Sequence, residues 1–353
     1  MDSVTRRRWF VGIALGALML LVGASGGLMY RDMQQMRLDQ SLIAAIKRND
    51  TSAVRLLLVR GASPNARDDG AQEVSGWRRL WNRFHGIRLE AAGALPALVV
   101  ALNVCEEPDR GFLPVYKDTG QIVGALLDHG ADPNTCSADG ESVLMMTAEV
   151  YRSDDLRQLI AHGADVKVQG EEGETPLMCA LRADDLVTVR LLLQKGVAVN
   201  ACDKKGETAL HWGIGSAKAE TIGFLLERGA DVNLADREGE TPLHWAASAG
   251  ADGTGLDGIR LLIAHGADIN RIAADGETPL FRAAHFGNAN GVKLLLAAHA
   301  DARIRNRRGD TALSDARRRL RVWNGESEGG RGLYERQGIE EAVRVLERAE
   351  VRQ

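Results

Sequence analysis

Gly239-Glu240-Thr241-Pro242-Leu243-His244 is the stretch on which the fold turns, because it recurs. GESVL begins at Gly140, GETPL at Gly173, GETAL at Gly206, GETPL at Gly276 and GDTAL at Gly309. With Gly239 included, successive starts lie 33, 33, 33, 37 and 33 residues apart. A second string recurs out of phase with the first: GASPN from Gly61, GADPN from Gly130, GADVK from Gly163, GVAVN from Gly196, GADVN from Gly229, GADIN from Gly266 and HADAR from His299. Between the two lies a leucine-rich stretch such as Leu191-Leu192-Leu193 or Leu261-Leu262-Ile263. A fixed period of this size marks a repeat array, in which each unit is one supersecondary element stacked on the next.

Each residue of the repeat has a physical role. Thr175, Thr208, Thr241, Thr278 and Thr311 stand where a helix must start, and threonine caps free backbone N–H groups. Pro176, Pro242 and Pro279 follow at the first helical position, where a missing N–H costs nothing. The next leucine points into the stack. A second helix carries the leucine triplet, and glycine ends it by accepting the left-handed conformation. One such unit is too thin to bury its own apolar face, so stability comes from stacking.

The period of 33, the Thr241-Pro242-Leu243-His244 signature and the G-A-D-x-N string resemble the ankyrin repeat. The resemblance spans about residues 40 to 350 and is most specific from 139 to 313. It implies an all-α ankyrin-repeat solenoid of about seven to eight helix-turn-helix units over 40–353. It also implies that protein partners bind the concave side, and that His211 and His244 make hydrogen bonds within and between repeats. Insertions are expected near 69–92, 104–117 and 251–255, and a C-terminal cap over 309–353 with an amphipathic stretch from Ile339 to Leu346. Pro96 is expected in the T-P-L slot of an early unit.

Trp9 to Tyr30 is a run of 22 residues without a charge, and about 20 apolar residues span a bilayer core. Arg6, Arg7 and Arg8 precede it, which favours an N-inside orientation. The expected organisation is a short cytoplasmic tail (1–8), a transmembrane signal anchor (9–30) and a solenoid in the periplasm, single-pass at a bacterial inner membrane. A cleavable signal peptide, with small residues at Val22-Gly23-Ala24, places the body on the same side. No Gly or Pro lies between Leu28 and Asn49, so the anchor is expected to run into the first repeat helix with little linker.

Of the 353 residues, 45% are hydrophobic and 26% charged, which excludes a disordered chain and a multispanning membrane protein. The net charge of −4 gives no reason to expect nucleic-acid binding. His129, His162 and His265 precede the terminal glycine, and His299 replaces it. At a helix C-terminus they complement the dipole. Stacked helices about 8–10 Å apart hold such histidines too far from one another to share a zinc ion. Cys136 and Cys202 fill one turn slot two repeats apart, Cys179 falls in a buried helix slot, and Cys105 lies beside an insertion, where a single bridge stays open. No catalytic residue, cofactor site, metal site or small-molecule substrate site is expected.

Two surfaces stand out. The residue after the signature glycine is acidic in six consecutive units: Glu141, Glu174, Glu207, Glu240, Glu277 and Asp310. Such a row either sits favourably at helix N-termini or forms an acidic stripe for a protein partner. Trp212 and Trp245 occupy equivalent slots and are expected to pack in the stacked core. The inserted segment Gly76 to Glu90 places Trp77, Leu80, Trp81, Phe84 and Ile87 on one helical face. Arg78, Arg79 and Arg83 lie opposite. It is expected either to pack over the first repeats or to touch the membrane or the partner.

The functional expectation is a non-catalytic protein-protein interaction module held at the membrane by its N-terminal helix. In build it resembles the periplasmic ankyrin-repeat proteins linked to protection against peroxide, which implies support of oxidative-stress protection. The alternatives are an immunity protein against an extracytoplasmic toxin and a secreted effector that binds host proteins.

Overall fold

A computed structural model describes residues 30–68, 95–102, 105–106, 115–116, 119–138, 140–149, 152–214, 218–249, 255–322 and 330–350. Among these, sixteen helices form eight consecutive pairs. Residues 30–47 make α1. It is followed by α2 (Thr51–Val59), α3 (Ala97–Leu102), α4 (Gly120–Asp128), α5 (Val143–Glu149), α6 (Ser153–Ala161), α7 (Pro176–Arg182) and α8 (Leu186–Gln194). Then come α9 (Ala209–Ile214), α10 (Ala219–Glu227), α11 (Pro242–Ser248), α12 (Leu256–Ala264), α13 (Pro279–His285), α14 (Ala289–Ala297), α15 (Ala312–Val322) and α16 (Gly330–Glu350). Strand structure among the described residues is confined to two antiparallel two-residue pairs, Arg67–Asp68 with Leu95–Pro96 and Cys105–Glu106 with Val115–Tyr116. The second pair lies within the expected 104–117 insertion. The all-α repeat reading holds.

The chain divides into two compact units. One comprises Met1–Val143 and Gln158–Ala164, the other Leu144–Arg157 and Asp165–Gln353. In the first, α2 packs on α4, and α3 on α4. Asn65 donates from Nδ2 to the Gly130 carbonyl at 3.2 Å and accepts the Asp132 N–H at 2.8 Å. The helix 30–47 runs unbroken into the first repeat, with Leu42, Ile43, Ala45 and Ile46 buried at its C-terminal end.

Pro96 corrects the expected register by one residue. The helix begins at Ala97, so Pro96 precedes it in the place that Thr175 takes before α7. Leu98 then aligns with Leu177, and both are buried. Pro96 instead pairs with Arg67, and the Ala97 N–H donates to the Ala66 carbonyl at 2.7 Å.

In the second unit the same contacts recur from repeat to repeat. The first helices pack in a row, α7 on α9, α11 on α13 and α13 on α15. Leu177, Leu210, Leu243, Leu280 and Leu313, the leucine of each signature, are all buried. Neighbouring turns are joined backbone to backbone. The Lys204 N–H donates to the Glu172 carbonyl at 2.8 Å, Arg237 to Lys205 at 2.8 Å, Ala274 to Glu238 at 2.7 Å and Arg307 to Asp275 at 3.0 Å. Gly206 shows why glycine is required there. Its φ is +85°, and a Cβ would lie 3.0 Å from the Arg237 nitrogen of the next turn. The G-A-D-x-N string is a second ladder. Asn200 bonds the Gly229 carbonyl at 3.2 Å and the Asp231 N–H at 2.9 Å, and Asn233 repeats this with Gly266 and Asp268.

Histidine adds a third link. His211 and His244 are fully buried. The Thr241 N–H donates to His244 Nδ1 at 3.1 Å, and the Thr241 hydroxyl lies 2.9 Å from the same atom. Nε2 then donates to the Glu277 carbonyl of the next repeat at 3.3 Å. His211 makes the same set with Thr208 and Glu240. The hydroxyls of Thr175 and Thr278 cap their helices as expected, accepting the Met178 and Phe281 N–H groups. Those of Thr208 and Thr241 turn to the imidazole instead. A ring nitrogen that accepts a backbone N–H must be unprotonated, so both histidines are neutral.

The C-terminal stretch forms α16, whose Ile339, Ala342 and Leu346 are fully buried. It packs on α13, α14 and α15. Among the described residues no helix is long and apolar enough to cross a membrane. The expected anchor at 9–30 lies outside them but for Tyr30. The 69–92 insertion lies outside the described residues, as does all of 251–255 except Gly255.

Burial pushes His244 down to about 4, and pushes His211 down as well. A histidine held below its ordinary value of about 6.5 stabilises the fold fully above that pH and loses the contribution as pH falls toward 4. The His211→Phe/His244→Phe double variant, which copies the neighbouring Phe281, should flatten that acid limb of the urea midpoint. For His244 alone the loss in the parent is on the order of 3 kcal/mol. Separately, His299 sits at φ +67° where the other units place glycine. His299→Gly should raise the thermal midpoint, with a gain of up to about 1 kcal/mol.

Candidate protein-binding face

The turns and the first helices of the second unit share one face. Its composition follows from the columns of the repeat. The residue after each signature glycine gives Glu174, Glu207, Glu240, Glu277 and Asp310. Glu277 is buried and the other four are half-buried. Glu141, half-buried, belongs to the first unit. The fifth position of the signature helix, counted from the cap as one, gives Met146, Cys179, Trp212, Trp245, Arg282 and Asp315. The eighth gives Glu149, Arg182, Gly215, Ser248, His285 and Arg318.

Trp212 and Trp245 are half-buried on this face, which corrects their expected place in the core. The Trp245 indole N–H donates to Asp236 Oδ2 at 3.3 Å. The His211 ring stands edge-on to it, 5.7 Å between centroids. The Arg182 guanidinium lies 5.1 Å from the Trp212 ring centre. The column itself carried the signal: a position that holds Arg282 and Asp315 in sister units does not point into an apolar stack.

Arg282 is the hub of the acidic row. It contacts Glu240, with Asp275 at 2.9 Å and Glu277 at 3.4 Å. Farther along, Asp315 is buried and takes His285 at 2.8 Å and Arg308 at 3.5 Å, with Arg318 also in contact. Arg318 reaches Asp310 as well, at 3.1 Å. Sequence reasoning missed Arg282 and this cluster because it read each column for one property only.

Burial raises the carboxyls of Glu207, Glu240 and Glu277. Asp203 adds to the rise at Glu207, Asp275 adds to it at Glu277, and Arg282 opposes it at Glu240 and Glu277. Asp315 is held low, its histidine and arginine partners overcoming burial. The middle of the row therefore carries carboxylates whose ionised form is disfavoured by the fold.

The histidines at helix ends do what their position implies. His129, His162 and His265 each bring Nδ1 to the carbonyl four residues back, at 2.8, 2.9 and 2.8 Å. Cys136 and Cys202 are free, exposed thiols, and Cys179 is buried in its helix slot. Among the described residues no group of three or more His, Cys, Asp or Glu side chains is placed to hold a metal ion. The Trp77–Ile87 segment, with Arg78, Arg79, Leu80, Trp81, Arg83 and Phe84, lies outside the described residues.

A carboxylate raised by burial destabilises the fold as pH rises through its folded value. Glu207→Gln should therefore leave the thermal midpoint at pH 8 unchanged or higher. A clear drop would show that the charge stabilises the helix start.

The model of ankyrin repeats in three copies matches residues 115–203, 144–236, 184–273, 214–307 and 251–322. That of a single ankyrin repeat matches 41–69. No curated protein matches the chain significantly. The matched stretches span more than half of the chain and coincide with the helix pairs and turn ladders described above, and the chain belongs to the ankyrin-repeat family.

Proposed function

We propose that the chain is a non-catalytic module that captures a protein partner on the face of turns and first helices in its second unit. The observation that carries this reading is the row of half-buried Glu207 and Glu240 and buried Glu277 on the face that holds Trp212 and Trp245. These carboxylates weaken the fold when ionised, and groups kept at such a cost mark functional surfaces. Indoles on the same face supply large contact area with little entropy to lose, as at interaction hot spots. Ankyrin repeats suggest protein partners in general, and the face has the composition for one.

The same reading places the module at a membrane. The uncharged run from Trp9 to Tyr30 and the three arginines before it support a single-pass anchor with the repeats on the outer side of a bacterial inner membrane. The described helix 30–47 starts at the last residue of that run and enters the first repeat. A partner bound there would be held near the membrane, and a role in protection against oxidative stress fits this build.

The Glu174→Gln/Glu207→Gln/Glu240→Gln variant should bind its partner at least about tenfold more weakly in low salt and show a flatter salt dependence. Circular dichroism should show the same helix content as the parent. Equal affinity and equal salt dependence in parent and variant would remove the row from the binding face.

A further inference from the structure

We infer that Arg190 and Arg228, both resting on the ring of Phe224, form a clamp for one carboxylate of a protein partner, a glutamate or aspartate side chain. The clamp belongs to the second helices α8 and α10, and it stands apart from the face of turns and first helices.

The second helices of this unit carry a cation at their fifth position: Arg157 in α6, Arg190 in α8, Arg260 in α12 and Lys293 in α14. Three of these four are neutralised from within. Arg157 lies 3.5 Å from Asp154 and Arg260 lies 3.1 Å from Asp257, each acid three residues earlier on the same helix. Lys293 meets Glu341 of α16 at 2.5 Å. In α8 the residue three before Arg190 is Val187, so the helix supplies no carboxylate. Among the described residues Arg190 makes no ion pair, and its guanidinium carbon lies 4.2 Å from the centre of the Phe224 ring in the next repeat.

Arg228 comes to the same ring from the C-terminal end of α10, at 4.6 Å. Its slot holds His162 and His265 in sister repeats, each in contact with the carbonyl four residues back. Arg228 also makes no ion pair among the described residues, and the acids of α10, Glu220 and Glu227, pair with neither arginine. Two guanidiniums therefore lie within 4.6 Å of one point with no carboxylate bonded to either. Like charges so placed repel, and a shared anion relieves the repulsion.

The surroundings suit a carboxylate. Phe224 is buried and fixes where the two groups rest. A guanidinium over a ring engages its face and leaves its in-plane N–H donors for an oxyanion. The fifth position of α10 is Gly223, where a Cβ would meet nothing within 4 Å. It leaves room beside Phe224 where the sister helices carry a long cation. Val187 is 45% exposed and neighbours Arg190 on the helix surface. It offers apolar contact to the residues that flank the acid, which favours a carboxylate borne on a polypeptide.

The test uses the full chain in mild detergent and low salt, labelled with nitrogen-15 at the arginines. It is titrated with a capped peptide of alternating glycine and glutamate, and with the same peptide carrying glutamine. The Arg190 and Arg228 side-chain N–H signals, assigned with Arg190→Gln and Arg228→Gln, should both move with the glutamate peptide. Half-saturation with the glutamine peptide should need at least about tenfold more. Val187→Asp should supply the missing carboxylate from within, as Asp154 and Asp257 do, and an acid in the first turn suits the helix dipole. The Arg190 signal should then be displaced before peptide is added, and peptide affinity should fall about tenfold. Stationary signals, equal response to the two peptides, or unchanged affinity in folded Val187→Asp overturns the proposal. If Val187→Asp does not fold, the comparison of the two peptides decides alone. Inorganic phosphate that moves both signals at lower concentration than the glutamate peptide assigns the clamp to phosphate and overturns the carboxylate reading. The Glu174→Gln/Glu207→Gln/Glu240→Gln variant should keep both responses, so failure of the acidic face leaves the clamp standing and failure of the clamp leaves the face.

Discussion

The backbone hydrogen bond from one turn to the next is the constraint on which the second unit depends. Lys204 to Glu172, Arg237 to Lys205, Ala274 to Glu238 and Arg307 to Asp275 set the rise of each repeat on the last. Once turns approach this closely, glycine is required at their corners, and only stacking buries the leucine of each signature. The imidazoles of His211 and His244 and the side chains of Asn200 and Asn233 then bond across the same interval. Three chemically different ladders share one spacing. At Gly309, the final turn, a Cβ would meet nothing within 4 Å. The glycine there has lost the close approach and kept the positive φ.

Because the ladders are repeated, the units act as controls for one another. Where a column is constant, as in the signature leucines, its role is packing. Where it changes sign, as from Trp245 to Arg282 to Asp315, its side chains make polar contacts instead of packing an apolar stack. The cap column shows a subtler change. Thr175 and Thr278 cap their helices through the hydroxyl, while Thr208 and Thr241 give that hydroxyl to histidine. One residue type thus makes two bonding patterns, and the residue three places on selects between them.

The period, the caps and the terminal glycines were legible because each depends on a local backbone need. The helix pairs, the histidine links and the C-terminal helix follow from them. The register at Pro96 was not legible, because proline fits both the first helical position and the residue before it. Only the pairing with Arg67 separates the two. The acidic row was legible as a row, but the gathering of Glu240 and Glu277 on Arg282 was not, because the column of Arg282 holds no other arginine. Trp212 and Trp245 were misplaced because large aromatic residues at helical spacing read as core. The charged members of the same column, 37 and 70 residues beyond Trp245, carry the opposite message.

The energetics of the face bear on its use. Stacking gives a repeat array stability that is spread over many interfaces, so a local cost at one of them is tolerated. Glu207 and Glu277 are held near other acids, and burial raises both. Arg282 offsets part of this around Glu240 and Glu277. Lys205 opposes the rise at Glu207, and burial outweighs it. Asp315 shows the opposite balance: it is buried too, yet His285, Arg308 and Arg318 gather on it and hold its carboxyl low. The cost of ionisation on this face therefore falls on its middle, where carboxylates outnumber their cations, and not on its C-terminal end.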